Sequence, residues 1–357
     1  MTIPSTHPAA PEDVTAALRA ADAAIQAGRY EEARGLLERM LAAWPEESKA
    51  HYLHGVSLAM LGERRAARAG FVRAAELAPG DAALQCYAAA ASVEHGQTAE
   101  ALRYGRAALA ADPNCDAAHH LLASIELPGE HYLKLLERIH AHLRPRTYVE
   151  IGIFAGASFR LPRAPTTAIG IDPEPRLEAP PSPRHRVFRQ TSDAFFAGHD
   201  LAALFDGVPV DLALIDGMHH FEFALRDFVN LERCCAADAT ILVHDCYPID
   251  AVTSARERVT AFWSGDVWRL ILALRKWRPA LAIHTVAVPP TGLAVVRNLD
   301  PGSRVLAENL ERVCAEFLAV GYDAIADRKR AVLNVCAGEW EQVKALLDAP
   351  PARPRRD

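Results

Sequence analysis

Several features are missing from this sequence, and each absence narrows what the protein can be. It has no run of about 18 apolar residues, so no membrane span is expected. The opening stretch MTIPSTHPAAPEDV has no basic region followed by an apolar core, so no secretory signal is expected. The seven cysteines (Cys86, Cys115, Cys234, Cys235, Cys246, Cys314, Cys336) are odd in number, and none forms a CxxC pair. Reduced thiols in a cytoplasmic protein are therefore expected, rather than disulfides or a zinc knuckle. The formal net charge is −6, with no basic stripe to neutralise phosphates, so nucleic acid is not an expected partner.

What is present starts with length: 357 residues, half of them apolar, leave room for two domains with sizeable cores. The first third repeats every 34 residues. Gly28, Gly62 and Gly96 keep that spacing, as do Ala33, Ala67 and Ala101, and Pro45, Pro79 and Pro113. Between these marks lie helical patterns such as EEARGLLERMLAAWP, so each unit reads as helix, glycine turn, helix, proline stop. The pattern resembles the tetratricopeptide repeat over about 13–114, with a weaker fourth unit from Asp116 to about Leu143. A stack of helix pairs is expected, either holding a protein or peptide partner or serving as a structural or dimerising arm. His119-His120, on the fourth unit, reads as packing or surface.

After HLRPR (142–146) the texture changes to strands alternating with helical stretches. TYVEIGIF (147–154), TAIGID (167–172), VDLALID (210–216) and ATILVHD (239–245) read as strands, and IHTVAV with TGLAVVRNL as a closing hairpin. This predicts an α/β Rossmann-like domain, mostly parallel with an antiparallel last strand, behind the all-α repeats. The expected division is 1–12 flexible, 13–143 repeats, 144–348 α/β domain and 349–357 flexible.

Ligands of such sheets sit beyond the carboxyl ends of the strands. There Glu150 can accept hydrogen bonds, Gly152 and Gly156 permit a tight turn, and Asp172 is placed for a ribose diol. Ser192 and Asp193 fall where an adenine edge is expected. The NAD fingerprint GxGxxG is absent, because position 154 is Phe and the spacing is GxxxG.

VEIGIFAGAS, GID, LIDGMHHFEFALRD and ILVHD together resemble class I S-adenosylmethionine (SAM)-dependent methyltransferases of the macrocin O-methyltransferase and cephalosporin-hydroxylase type. The resemblance implies SAM contacts at Glu150, Gly152, Gly156, Ser158, Asp172 and Asp193. It implies a divalent ion at Asp216, His244 and Asp245; the imidazole suits manganese, iron or zinc better than magnesium. His219 matches the histidine of the pattern and is the expected base, with Asp216 beside it. His220 reads as a bystander, and Asp227 as either an orienting partner of His219 or a solvent-facing acid. Trp263, Asp266 and Trp268 are candidates for an acceptor pocket, or alternatively for packing on the sheet. Arg275, Lys276 and Arg278 read as a solvated face, and Cys234-Cys235 as core on a helix. Pro162 and Pro165 depart from the family and should break its first helix, leaving loop backbone and Arg160 for the SAM carboxylate end.

The expected activity is O-methyl transfer to a small-molecule, sugar or natural-product hydroxyl. The alternative is a degenerate methyltransferase fold whose repeat arm binds a partner. A homo-oligomer is compatible with both, and the residues do not name the acceptor.

Overall fold

The computed structural model describes residues 13–350, so the terminal segments expected to be flexible lie largely outside the described residues. The chain forms two compact units, one ending at Ile125 and the other beginning at Glu126.

The first unit is a stack of helix pairs: Val14–Gln26 with Tyr30–Ala43, Ser48–Met60 with Arg64–Leu77, and Ala82–Glu94 with Thr98–Ala111. The registered glycines have a backbone reason. Gly28, Gly62 and Gly96 end a helix at φ of +73°, +84° and +70°, where an L side chain is strained. Ala33, Ala67 and Ala101 are buried, small enough for helices to approach closely. The same spacing recurs in acids that cap helices: Asp13, Glu47 and Asp81 accept backbone N–H groups of the first turn. His119 is buried, whereas His120 is exposed 3.5 Å from Asp116.

The second unit is an eight-stranded sheet. Its strands are β1 (Thr147–Ile151), β2 (Thr167–Ile171), β3 (His185–Phe188), β4 (Val210–Ile215), β5 (Cys235–His244), β6 (Ala282–Val286), β7 (Leu293–Arg297) and β8 (Val335–Cys336). They are ordered β3-β2-β1-β4-β5-β7-β6-β8. β3 through β5 run parallel, β7 is antiparallel to both β5 and β6, and β8 is parallel to β6. β1 is buried along its whole length and β4 nearly so, as expected where both faces of a sheet are covered. Strand order reverses between β1 and β4, and a ligand crevice opens at such a switch point.

The domain boundary differs from the expected one. Helix Tyr132–Leu143, read from sequence as part of the repeats, belongs to the second unit. Its buried face, Leu135, Leu136 and Ile139, joins the sheet core with Tyr148, Leu212 and Leu242. Each such side chain removed from water contributes roughly 1.5–3 kcal/mol. Backbone bonds from Gly129 N to Ala287 O (3.0 Å) and from Tyr132 N to Pro289 O (3.1 Å) fix its start.

Two smaller readings also change. Arg278 is buried and grips Glu232 with two bonds of 2.5 and 2.9 Å, while Arg275 and Lys276 are exposed as expected. Cys235 is core but opens β5, because the preceding helix ends at Glu232. No helix among the described residues is long and apolar enough to cross a membrane.

His140 lies in the sheet core, edge-on to Tyr148, and among the described residues neither ring nitrogen has a hydrogen-bond partner. Burial pushes its pKa down to about 4. The unfolded chain takes up this proton near pH 6.5, so the stability from a neutral His140 is complete above that pH and drains away toward pH 4. His140→Leu should therefore remove about 2 kcal/mol of the stability that the natural chain loses between pH 7 and 4.5. Urea denaturation at the two pH values reads this difference; an identical acid loss in both chains would refute it.

Candidate functional site

The carboxyl ends of β1, β2, β4 and β5 surround a cavity of about 770 Å³. Its floor depends on Gly152, which turns β1 out of the sheet at φ +86°. A Cβ there would stand 1.9 Å from the carbonyl oxygen of Asp216, so only glycine lets β1 pass under β4. Asp216 N donates to Ile151 O and Gly152 N to Ile171 O, both at 2.8 Å, which ties three strand ends together. Three other residues here adopt the left-handed backbone without being glycine: Phe154 (φ 41°), His219 (φ 58°) and Asp245 (φ 58°). Strain of this kind, about 1–3 kcal/mol each, collects where side chains must be aimed.

On one side, Asp172 follows β2 and lines the cavity. Its Oδ2 accepts from Ile153 N (3.0 Å) and Phe154 N (2.8 Å), and its Oδ1 from Glu174 N (2.8 Å). A carboxylate has about four accepting positions. Three are used, so Asp172 shapes the loop and keeps one for a ligand, not the two a diol clamp would use. Ser158 and Ser192 also line the cavity. Glu150 does not. It is fully buried beneath, accepting from Ser158 Oγ (2.5 Å) and Tyr148 OH (2.7 Å), and burial pushes its pKa up to about 8 despite both bonds. Gly156 is likewise outside the lining and serves the turn at φ +75°.

On the other side, four side chains converge. His219 Nε2 lies 3.0 Å from Asp245 Oδ2 and 3.5 Å from Asp216 Oδ1. His244 Nδ1 lies 3.2 Å from the same two oxygens. Burial alone would lower the His244 pKa, but Asp245 and Asp216 outweigh it and raise it to about 10. The same balance raises His219. Burial works against the charged form of Asp216, yet His244 and His219 hold its carboxyl well below the usual range. Two adjacent carboxylates, Asp245 buried and Asp216 half-buried, need compensating positive charge, from imidazolium or from an ion. Thr291 Oγ1 donates to Asp245 Oδ1 at 2.7 Å, and Tyr132 stacks on His244 with ring centroids 4.0 Å apart.

For an ion, the donor geometry favours Asp216, His219 and Asp245, whose ligand atoms lie within 4.8 Å of one another. His244, the expected third ligand, also reaches both carboxylates at 3.2 Å, and His219, the expected base, stands beside it in the same cluster. His219 has a left-handed backbone after β4 and His244 ends β5, and both line the cavity.

A family model described as a methyltransferase domain matches residues 53–246, more than half of the chain. The chain belongs to the methyltransferase-domain family. The match begins within the helical repeats and ends one residue past Asp245. No curated protein matches. Among solved structures, "MamA MSR-1 C2" is similar at 26% identity and TM-score 0.29, over 32% of this chain and 65% of that one. The Yersinia enterocolitica type III secretion chaperone SycD with a YopD peptide shows 17% identity and TM-score 0.31, over 33% and 96%. YrrB, a TPR protein with an unusual peptide-binding site, shows 18% and 0.31, over 36% and 66%. The chain thus spans just under two thirds of the first of these.

Within this methyltransferase domain, several expected site residues have other duties. Asp266 is fully buried, accepting from Phe221 N (2.7 Å) and pairing with Arg256 (2.8 Å) and Arg269. Trp268 is core, so neither residue shapes the cavity. Trp263 stacks on His219, centroids 5.2 Å apart, and acts from behind it. Arg160 bonds Ala155 O at 2.7 Å and lies outside the lining. Asp193 lines the cavity, but Arg226 grips both its oxygens at 2.9 and 2.8 Å. His220 bonds Arg256 O at 2.9 Å, a structural duty that agrees with its bystander reading.

The sequence reading missed Tyr132 and gave Asp227 the wrong surroundings. Asp227 neither touches His219 nor faces solvent; it is buried and lines the cavity. No local motif marks Tyr132, which reaches the site only because its helix packs on the sheet. Between β1 and β2 the described chain forms turns and no helix, as Pro162 and Pro165 require.

Gly152→Ala tests the floor of the site. The added Cβ meets backbone, not a movable side chain, at a φ that disfavours alanine. A loss of more than about 2 kcal/mol in urea denaturation is expected; a stability within 0.5 kcal/mol of the natural chain would contradict the geometry.

Proposed function

We propose that the second unit is a SAM-dependent O-methyltransferase, acting with a divalent ion on a hydroxyl of a small molecule, sugar or natural product. One observation carries the reading: Asp172 and the group Asp216, His219 and Asp245 line the same cavity, whose size is in the range of small-ligand sites. One carboxylate is thereby available to a cofactor hydroxyl, and a charged cluster to the acceptor, within a single enclosure.

The donor set fits an ion. Asp216, His219 and Asp245 would hold it, and two carboxylates with one imidazole suit manganese, iron or zinc better than magnesium. Such an ion lowers the pKa of a bound hydroxyl and orients it. His244, stacked against Tyr132, keeps the two carboxylates converged from behind. Asp172 Oδ1 offers its remaining position to a ribose hydroxyl, and the backbone of 152–158 takes the place of the missing first helix. Phe154 and Met218, both more than half exposed at the cavity, give an acceptor or cofactor an apolar wall.

Calorimetry with S-adenosylhomocysteine should show binding, and Asp172→Ala should weaken it at least tenfold, about 1.4 kcal/mol. Manganese should raise the melting temperature of the natural chain but not of Asp216→Ala. No heat and no thermal shift at millimolar S-adenosylhomocysteine would sink the reading.

The absence of a helix between β1 and β2 favours a second reading, a degenerate methyltransferase fold whose repeat arm binds a protein or peptide partner. Under that reading Asp172→Ala leaves partner binding intact and there is no turnover to lose.

A further inference from the structure

The 34-residue register of capping acids ends at a thiol. Asp13, Glu47 and Asp81 each precede a helix and accept N–H groups of its first turn through the side-chain carboxylate. The next position in that series is Cys115, directly before helix Asp116–Glu126. The backbone keeps its duty there, since Cys115 O accepts from Ala118 N (3.0 Å) and His119 N (3.2 Å). The side chain has a different partner. A thiol sulfur is a weak acceptor where a carboxylate is a strong one, and this sulfur lies 3.2 Å from Cys86 Sγ. Cys86 stands 29 positions earlier, on helix Ala82–Glu94, the helix that Asp81 caps.

Two sulfurs at this separation need to close by only about 1.2 Å to reach a disulfide bond length. Both cysteines are half-buried, within reach of a small oxidant. Burial, reinforced by Cys115, pushes the Cys86 thiol up to about 12, so Cys86 stays protonated at neutral pH and Cys115 is the sulfur that meets the oxidant first. Helix pairs in a stack are held only by contacts with their neighbours. A covalent bond between these two positions joins the third helix pair to the start of the fourth unit and closes the loop of chain between them, which restricts the unfolded chain.

We propose that Cys86 and Cys115 are a peroxide-sensitive modification site, forming a reversible disulfide that locks the third repeat onto the fourth. Cys115 Sγ attacks one oxygen of hydrogen peroxide, the O–O bond breaks, water leaves, and a sulfenic acid remains on Cys115. Cys86 Sγ then displaces the sulfenic hydroxyl, which leaves as water with the Cys86 proton. Two thiols and one peroxide thus become one disulfide and two waters, and a small dithiol reverses the change by exchange. The site belongs to the repeat unit and stands whether or not the second unit transfers methyl groups.

The test treats the reduced full-length chain with a slight excess of hydrogen peroxide and digests it with trypsin under non-reducing conditions. Mass spectrometry should find the peptides 74–103 and 107–134, each holding one of the two cysteines, linked at their summed mass less two hydrogens. Dithiothreitol should separate them. Oxidation should raise the melting temperature of the helical repeats, followed by circular dichroism, by at least about 3 °C. Cys86→Ala should show neither the link nor the shift. Cys115→Asp, which restores the acid of the other three units, should also show neither while melting at least as high as the reduced natural chain, and so controls for folding. The proposal is overturned if the folded chain gives no linked peptides, gives them only in urea, or melts at the same temperature with the link in place.

Discussion

The passage of Gly152 under the carbonyl of Asp216 is the contact on which the rest of the site depends. It lets the ends of β1 and β4 close on each other at the point where strand order reverses. With that contact made, the loop after β1 is free to drape over Asp172, whose carboxylate takes two of its amides. Asp216 is then held against His219 and His244. A side chain at position 152 would separate these strand ends, and Asp172 and the Asp216, His219 and Asp245 group would no longer share one enclosure.

The second constraint is charge. Asp216 and Asp245 are brought close enough for His219 and His244 each to meet both of them. In a partly dry site this arrangement persists only because positive charge is drawn in, and the raised pKa values of both histidines express that. Tyr132, Thr291 and Trp263 surround the four groups and hold their orientations, which is how a site keeps its geometry without moving backbone.

Much of this was legible in the sequence. VEIGIFAGAS, GID, LIDGMHH and ILVHD put glycines and acids at strand ends, and the structure brings Gly152, Ser158, Asp172, Ser192, Asp193, Asp216, His219, His244 and Asp245 to one cavity. The 34-residue period announced the helix pairs, because each pair repeats one backbone turn and one close contact. The duties that sequence did not show share a cause. Glu150, Asp193, Asp266 and Arg278 are charged residues near strand ends or on a helix that read as site or surface. Their partners, namely Tyr148 and Ser158, Arg226, Arg256 and Arg269, and Glu232, are set by packing between elements. A one-dimensional pattern cannot show that a polar side chain has already been satisfied.

Local chemistry along the chain sets the repeat, the alternation of strands and helices, and the residue types at each strand end. These follow from local backbone preference and hydrophobic period, which neighbouring residues encode. Only the tertiary structure brings both histidines onto the two carboxylates, His219 from a left-handed turn after β4 and His244 from the end of β5. It also decided that helix Tyr132–Leu143 serves the sheet, and that Asp227 is buried at the cavity wall. Those outcomes depend on which surfaces exclude water together, and residues more than a hundred positions apart in the chain settle that jointly.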